Sequence, residues 1–166
     1  MKYTMSVLVE NHAGVLSKVS GLFSRRGFNI DSIIACKTED PGLARWTLVV
    51  TGDEATFTQL TRQLLKLEDV IKVEALEMEN CSNSELLLIK VRTGLAGRAG
   101  LLRTAQTYGG RVLDVGDCTM TLELSGQTEE IEGFVARMAA DYGIVELART
   151  GITALRRGDD TIHSPD

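Results

Sequence analysis

Residues 3–27 read YTMSVLVENHAGVLSKVSGLFSRRG, and this stretch changes from a strand pattern to a helix pattern. Every second side chain of its first part is apolar: Tyr3, Met5, Val7 and Val9. A period of two predicts a strand that turns one face to a core. Beyond Gly14 the apolar spacing becomes helical, at Val15, Leu16, Val19, Leu22 and Phe23. We predict a helix from Gly14 to Arg26, ended by Gly27 in a left-handed conformation.

The elements that follow complete a βαββαβ order. Residues 30–38 and 45–51 have strand patterns and are joined by a turn around Pro41-Gly42. Asp53 predicts the cap of a second helix, and residues 70–78 predict a fourth strand. Such short connections favour an antiparallel four-stranded sheet covered on one face by two helices, the ferredoxin-like arrangement.

The same order of elements recurs after a polar break at residues 79–85. A strand over residues 86–92, a helix ended by Gly109-Gly110, two further strands, a helix capped by Thr128 and a last strand over residues 144–148 make up the second set. We therefore predict an α+β protein with two ferredoxin-like βαββαβ domains. The domains are residues 1–78 and 86–158, with a linker at 79–85 and a polar, frayed tail at 159–166.

Composition and charge exclude two classes of partner. The chain has 166 residues with 23 acidic and 18 basic side chains, so its formal net charge is -5. An acidic surface without long Lys/Arg runs does not favour nucleic-acid binding. The apolar run at residues 86–89 is far shorter than the roughly 20 residues that a membrane-spanning helix needs. We expect neither nucleic acid nor membrane as a partner.

Cysteine spacing and the N-terminus bear on the compartment. Cys36, Cys81 and Cys118 are odd in number and widely separated, which suits neither a zinc site nor a disulfide framework. The first residues run directly into a strand pattern without the features of an export signal. We expect a cytoplasmic chain whose cysteines are small apolar residues and not nucleophiles.

The turn between the first strand and helix has the residues of an anion site. Gly14 permits close approach of a ligand, and the first amides of a helix lack intrahelical acceptors, so they are free to receive a carboxylate. Asn11 adds an amide group with a donor and an acceptor, which suits a ligand that carries an ammonium beside its carboxylate. A free amino acid has that pattern. The alternative is that Asn11 and Gly14 only form a turn and a helix start.

Other polar residues point less clearly to chemistry. Asn29 lies between a helix end and a strand, where it serves either an interface or a local turn. Asp31 and Asp114 are not a catalytic pair by any spacing, and His12 alone favours a solvated loop histidine. The two sets of elements align when 83 is added to the residue numbers of the first, so Asn11 corresponds to Gly94 and Asn29 to Val112 in the second. If the two amides bind a ligand, only the first domain has the site.

Four runs of sequence form a pattern over nearly the whole chain: residues 6–11, 14–17, 21–30 and 145–151. Together they resemble the regulatory small subunit of acetolactate synthase, also called acetohydroxyacid synthase. The run GLFSRRGFNI at residues 21–30 is specific. The simpler pattern strand-Asn-x-x-Gly-x-Leu-helix is shared by many amino-acid-sensing modules of the ACT type.

This resemblance implies a non-catalytic subunit that activates a large catalytic subunit and makes it sensitive to feedback inhibition by valine. It implies an N-terminal ACT domain that forms a homodimer with its twin and binds the branched-chain effector at the shared interface. Thiamine diphosphate, Mg²⁺ and FAD belong in that family to the large subunit, so no cofactor, metal or catalytic residue is assigned to this chain. The effector-binding positions that match are Asn11, Ala13, Gly14, Val15 and Leu16 from one protomer with Asn29 and Ile30 from the other.

Two alternatives belong to other functional classes. A stand-alone ACT module that regulates another enzyme or transcription would share the site at Asn11 and Gly14, but a transcriptional regulator should also bring a basic DNA-binding helix. A small ferredoxin-like enzyme would need a convergent acid, base or nucleophile, and the sequence offers none.

Overall fold

The structure, a computed structural model, describes residues 1–26 and 29–163. The chain divides into two compact units. The first consists of Met1–Asn83 together with the C-terminal segment from Ile152 onward, and the second consists of Ser84–Gly151. The predicted helix end at Gly27 lies outside the described residues.

The first unit has the predicted βαββαβ order. Its sheet is antiparallel with the strand order β2-β3-β1-β4, so β2 and β4 are its edges. Asp53 caps α2 as predicted, because its carboxylate accepts a hydrogen bond of 2.7 Å from Thr56 N. The elements are β1 (Lys2–Glu10), α1 (Val15–Arg26), β2 (Asn29–Lys37), β3 (Leu43–Thr51), α2 (Glu54–Leu64) and β4 (Val70–Leu76).

The core of the first unit lies between this sheet and its two helices. Met5, Val7 and Val9 are fully buried, which confirms the face predicted from the period of two. Trp46 and Leu48 of β3 pack in the same cluster, so the one tryptophan of the chain is a core residue. The helices contribute the spaced apolar positions, among them Val15, Val19, Phe23, Leu60 and Leu64.

The second unit repeats this architecture with its own core. Its strands are ordered β6-β7-β5-β8, again antiparallel. Leu87, Ile89 and Val91 of β5 are fully buried against the two helices, together with Leu122 and Phe134. The two ferredoxin-like units are therefore confirmed. The elements are β5 (Cys81–Arg92), α3 (Arg98–Thr107), β6 (Arg111–Val115), β7 (Thr119–Gly126), α4 (Thr128–Asp141) and β8 (Ile144–Arg149).

Two local features differ from the sequence prediction. The predicted linker at residues 79–85 is ordered: a short 3₁₀ turn at Met78–Asn80 leads directly into β5, which begins at Cys81. Buried Cys81 and Glu85 anchor this polar stretch; Glu85 forms an ion pair with Arg149. The cap of α4 is Gln127 and not Thr128, because Gln127 N donates to the Glu130 carboxylate at 2.9 Å.

The C-terminal end also differs from the expected domain boundary and frayed tail. A short strand, β9 (Thr153–Arg156), is present, and the segment from Ile152 lies with the first unit, where Arg157 N donates to Asn80 O at 2.9 Å. Ala154 and Ile162 are buried, so this segment has an apolar side that the sequence analysis overlooked. It is held on the face of the first sheet that is opposite the helices, where the Arg45 guanidinium donates to Ala154 O at 2.7 Å. A charged pair between Arg156 and Glu74, at 2.8 Å, fixes the same contact.

Candidate functional site

The turn between β1 and α1 is attached to the β2–β3 hairpin through Asn11. Its backbone N–H donates to Gly42 O at 2.8 Å, and its side-chain Nδ2 donates to Pro41 O at 2.9 Å. The Asn11 side chain is thus held in place with its Oδ1 still available to accept a hydrogen bond. Asn11 and the rest of the turn, residues 12–14, are exposed to solvent.

Gly14 gives the turn a conformation that other residues rarely adopt. Its φ is +96°, and no atom lies within 4 Å of the position that a Cβ would occupy. The helix begins at Val15, and Lys18 N donates to Gly14 O at 3.0 Å. Among the described residues, no acceptor is bonded to the amides of the turn and first helical positions, which are Ala13, Gly14, Val15 and Leu16.

These amides open on a cleft of about 400 Å³. Its opposite wall is the end of β2, at Ala35, Cys36 and Lys37, and its floor includes Ala44 and Trp46. The floor is apolar and the rim carries peptide N–H groups. This combination suits a small molecule with one carboxylate and a short aliphatic chain.

A cluster of four charged or titratable groups adjoins the rim of the cleft, and two of them, Glu10 and His12, line the cleft itself. The buried Asp69, in the loop between α2 and β4, contacts Lys18 Nζ at 2.5 Å and His12 Nε2 at 3.0 Å. His12 Nε2 also lies 3.2 Å from the Glu10 carboxylate. The hydrogen bond from His12 to Ala13 O, together with the two carboxylates, raises the pKa of His12. The ammonium of Lys18 lowers the pKa of Asp69.

The same cluster has the ligand types of a metal site. Atoms of Glu10, His12 and Asp69 that could bind a metal ion lie within 4.8 Å of one another. Lys18 already contacts the second oxygen of Asp69 and supplies a positive charge to the cluster. The donor set of the cluster therefore suits a proton at His12 better than a divalent cation, which the Lys18 ammonium would repel.

Asn29 and Ile30, the other two predicted effector positions, lie at the opposite end of the sheet. Asn29 opens β2 and pairs with Thr51, whereas the cleft adjoins the last residues of β2. A nine-residue strand spans about 26 Å, so one chain does not bring Asn29 to Gly14. Within its own chain the Asn29 amide donates to the Asp31 carboxylate at 3.0 Å.

In the second unit, the turn that corresponds to this site forms an internal hydrogen bond. Thr93 N donates to Cys118 O as Asn11 N donates to Gly42 O, so the backbone counterpart of Asn11 is Thr93 and not Gly94. A 3₁₀ turn, Leu95–Gly97, uses the Gly97 amide internally through a 3.0 Å hydrogen bond to Gly94 O. The prediction that Asn11 has no side-chain amide counterpart in the second domain holds with the corrected register.

The local contacts and burial of the remaining candidate residues do not indicate a binding or catalytic role. The Asp31 carboxylate accepts from Thr51 Oγ1 at 2.6 Å on an exposed strand. Cys81 is buried, and burial raises the pKa of its thiol. Cys36 and Cys118 are exposed, contrary to the expectation that each cysteine is a buried or half-buried apolar residue. Trp46 is 4% exposed, which leaves no ring face for stacking on a ligand.

Asp69 and Lys18 were not singled out from the sequence. In a βαββαβ sheet β4 runs antiparallel to β1, so the residue that precedes β4 lies beside the residue that follows β1. Val9 pairs with Val70, and Glu10 N donates to Asp69 O at 2.9 Å. The predicted topology therefore contained the signal that places Asp69 at the rim.

A larger cleft, of about 590 Å³, lies between the first sheet and the C-terminal segment. Most of its charged lining residues are already engaged: Arg156 with Glu74, and His163 with Glu39 at 3.2 Å. Arg45 donates to Ser6 Oγ at 2.8 Å as well as to Ala154 O, and burial lowers its pKa. These contacts make the cleft a packing feature of the C-terminal segment.

No helix in the part of the chain that the structure describes is long and apolar enough to cross a membrane.

Comparison with known proteins covers both units. The sequence model of the family described as "AHAS small subunit-like ACT domain" matches residues 5–72, and that of "Small subunit of acetolactate synthase" matches residues 84–158. The second match includes residues 152–158, which lie with the first unit in the structure.

Full-length relatives agree with these matches. The chain is 42% identical to a probable acetolactate synthase small subunit of Methanothermobacter thermautotrophicus, over 96% of this chain and 95% of the relative. It is 38% identical to the acetolactate synthase isozyme 3 small subunit of Escherichia coli, over 96% and 98%. The crystal structure of the acetolactate synthase small subunit from Thermotoga maritima superposes with a TM-score of 0.88 at 35% identity, covering 96% of this chain and 99% of that one. The chain therefore belongs to the family of acetolactate synthase small subunits, the non-catalytic, regulatory chains of that enzyme.

Proposed function

We propose that this chain binds valine at the cleft beside Gly14 and thereby controls a large catalytic subunit of acetolactate synthase. The observation that carries the proposal is the set of unpaired amides around Gly14. The residues that carry these amides line a cleft whose floor is apolar. A carboxylate accepts from these amides, and a branched aliphatic side chain fits the floor at Ala44 and Trp46. The Asn11 Oδ1 would accept from the effector ammonium.

The complete site requires a second copy of the chain. β2 is an edge strand, with β3 on one side only, and its Ile33 is 38% exposed. If two β2 strands pair antiparallel about an axis at Ile33, Asn29 of one chain comes opposite Lys37 of the partner subunit, since each is four residues from Ile33. Lys37 is at the wall of the cleft.

This dimer would explain why the effector residues occur at both ends of one sheet. The site residues of one protomer are Asn11, Ala13, Gly14, Val15 and Leu16, and those of the other are Asn29 and Ile30. Asn29 would then turn its amide from Asp31 to the effector. An effector that bridges two protomers binds the ordered dimer better than the separated chains. This difference in affinity increases the fraction of chains in the ordered dimer.

The effect on the catalytic subunit follows from the same difference in affinity. Coupling of about 1–3 kcal/mol between the effector site and the catalytic subunit is typical of allosteric proteins and corresponds to roughly 5- to 150-fold. Without valine the chain supports the activity of its partner. The cofactors of the reaction, thiamine diphosphate, Mg²⁺ and FAD, belong to the catalytic subunit, and the complex works in the cytoplasm in branched-chain amino acid biosynthesis.

The decisive experiment mixes the full chain with its cognate catalytic subunit. Acetolactate formation should rise on mixing and fall when valine is added, whereas leucine and isoleucine measure the preference among branched-chain effectors. If calorimetry shows valine binding but activity does not respond, the chain is a stand-alone amino-acid sensor that regulates another protein. If valine neither binds nor changes activity, the proposal is wrong.

Cross-linking tests the dimer separately. In a chain with Cys36→Ser and Cys118→Ser, Ile33→Cys should form an intermolecular disulfide under mild oxidation, because a residue on the axis of an antiparallel pair faces its own copy at about 4.5–5.5 Å. The matched control is Ile71→Cys on β4, the other edge, where Ile71 is 50% exposed. Equal cross-linking at both positions, or none at Ile33→Cys, would reject the β2 pairing.

A further inference from the structure

We propose that Asp69 is the residue that positions the effector turn, residues 11–14, and that it does so through a proton-dependent bond to His12. The inference rests on the proposed function for the meaning of the turn. The contacts that carry it are independent of any ligand. They involve three separate segments, the end of β1, the turn and α1, that meet at one buried residue.

Asp69 joins both flanks of the effector turn. Its backbone O accepts from Glu10 N, the last residue of β1, at 2.9 Å. Its Oδ2 accepts from Lys18 Nζ in the first turn and a half of α1, at 2.5 Å. Its Oδ1 lies 3.0 Å from His12 Nε2, within the turn itself. Asp69 is 7% exposed, so this position does not depend on a mobile surface side chain.

The bonding of His12 is complete only when its ring carries two protons. Its Nδ1 lies 3.1 Å from Ala13 O, and a carbonyl only accepts, so Nδ1 carries a proton. Its Nε2 then faces the carboxylates of Glu10 and Asp69, which also only accept. A neutral ring would turn a lone pair towards two carboxylates. The imidazolium donates from both nitrogens.

The charges around His12 favour the same state. Two carboxylates, Glu10 and Asp69, and one ammonium, Lys18, leave one negative charge, which a protonated ring neutralises. The other titratable groups at this rim are Glu68 beside Asp69 and Cys36 and Lys37 on the wall of β2. Lys37 opposes protonation from the far side of the cleft and Glu68 favours it. The two nearest groups are the carboxylates.

Protonation should therefore tighten the turn in the conformation that leaves its amides free. The direction of the pH dependence follows from the raised pKa of His12. The stabilisation of the turn by the protonated ring is fully present below the ordinary value of about 6.5, and it is lost as pH rises through the higher pKa of the folded chain. Valine affinity should be about twofold to fivefold weaker at pH 9 than at pH 6, the range expected for exposed ion pairs.

The test is an NMR titration of the full-length chain in EDTA-containing buffer. The chain has two histidines, so a His163→Gln background leaves the His12 ring as the sole imidazole signal. His12 should titrate above 6.5, and the amide signals of Ala13 and Gly14 should shift with the same midpoint. Asp69→Asn should lower that midpoint, Asp69→Glu should retain most of the increase, and Glu68→Gln is the matched acidic control.

Valine calorimetry across pH completes the test and separates the two proposals. His12→Gln should make the affinity independent of pH, and Asp69→Asn should weaken it about tenfold or more at pH 7. If His12 titrates equally in the wild type and Asp69→Asn, or if the turn amides ignore its titration, the positioning role is rejected even when valine binds. If valine does not bind any variant, the proposed function fails, and the NMR titration alone decides whether Asp69 holds the turn.

Discussion

The turn between β1 and α1 and the turn between β5 and α3 occupy the same place in two similar folds, yet they use the glycine amide at the helix entry differently. Gly97 N donates to Gly94 O at 3.0 Å, whereas no acceptor among the described residues is bonded to Gly14 N. Both turns are attached to the hairpin that follows them. In the first unit Asn11 forms this attachment. In the second unit the Arg98 guanidinium donates to Gly116 O at 2.6 Å and to Asp117 O at 3.0 Å. A shared fold therefore conserves the attachment of the turn.

The difference lies in the glycine at each helix entry. Gly14 has a positive φ and open space around it, whereas Gly97 has a φ of -85° and belongs to a 3₁₀ turn. A Cβ at Gly97 would come within 2.9 Å of Thr93 Oγ1, so the second turn is packed against its own strand. The backbone conformation of one glycine thus distinguishes the turn proposed to bind the effector carboxylate from its counterpart in the second unit.

The largest expected effect tests whether the two units are independent. Phe134→Ala removes a fully buried ring that packs 5.1 Å from Tyr108, and should destabilise the second unit by about 3–5 kcal/mol. Trp46 lies in the first core, so its fluorescence reports on the first unit alone, while circular dichroism reports on both. In urea, circular dichroism should show an early transition without a change in fluorescence, and valine should still bind.

The matched control is Leu64→Ala in the first core, which should move the Trp46 transition and weaken valine binding. If Phe134→Ala shifts the fluorescence transition as far as Leu64→Ala does, the units unfold together. The two units would then not be independent folding units.

The second prediction concerns the glycines. Gly14→Asp places an L-residue at a φ of +96° and a carboxylate in the anion site, so valine affinity should fall at least about 100-fold. The control is Gly94→Asp. Its φ is -81° and nothing lies within 4 Å of its Cβ position, so the fold should accept it and valine affinity should not change. Calorimetry on both variants compares their valine affinities. Equal losses of affinity would show that the turn at Gly14 is not part of the valine site.

Much of the fold could be predicted because its signals are local. The period of two in β1 and the Asp53 cap are properties of short stretches, and both are found in the structure. Helix entry at Gly14 was predictable for the same reason. The C-terminal segment was missed because, among its described residues 152–163, only Ala154 and Ile162 are buried, which gives no periodic pattern. Asp69 was missed because its partners lie more than fifty positions away along the chain.

The third prediction compares the two hairpin attachments. Asn11→Ala removes the hydrogen bond to Pro41 O and the acceptor proposed for the effector ammonium, and should weaken valine binding about tenfold. Arg98→Ala removes the equivalent attachment in the second unit and should lower the stability of that unit while valine affinity remains unchanged. Calorimetry and urea denaturation distinguish the two effects. A loss of affinity in Arg98→Ala would mean that the second turn contributes to the site.

The fourth prediction compares Asn29 with its neighbour on the same strand. Asn29→Ala should weaken valine binding about tenfold or less, since in the proposed dimer it removes one hydrogen-bonding side chain that the partner subunit would supply. Asp31→Ala, which removes the present acceptor of the Asn29 amide, should leave affinity the same or slightly improved because the amide is released. Dimer dissociation measured by ultracentrifugation with and without valine gives a second readout. If Asn29→Ala binds as tightly as the wild type, the effector does not reach the second protomer.

The smallest effect compares how the two units begin their second helices. α2 is capped by the Asp53 carboxylate, which accepts from Thr56 N, and α4 by the Glu130 carboxylate, which accepts from Gln127 N. The Thr56 N–H lowers the pKa of Asp53, so the cap contributes stability above the ordinary value of about 3.9 and loses it as pH falls through the lower folded pKa. Asp53→Ala should lower the melting temperature seen by Trp46 fluorescence by a few degrees at pH 7, and the difference from the wild type should narrow on acidification. Glu130→Ala should leave that fluorescence transition in place. A shift of equal size in both variants would show that the second unit stabilises the first.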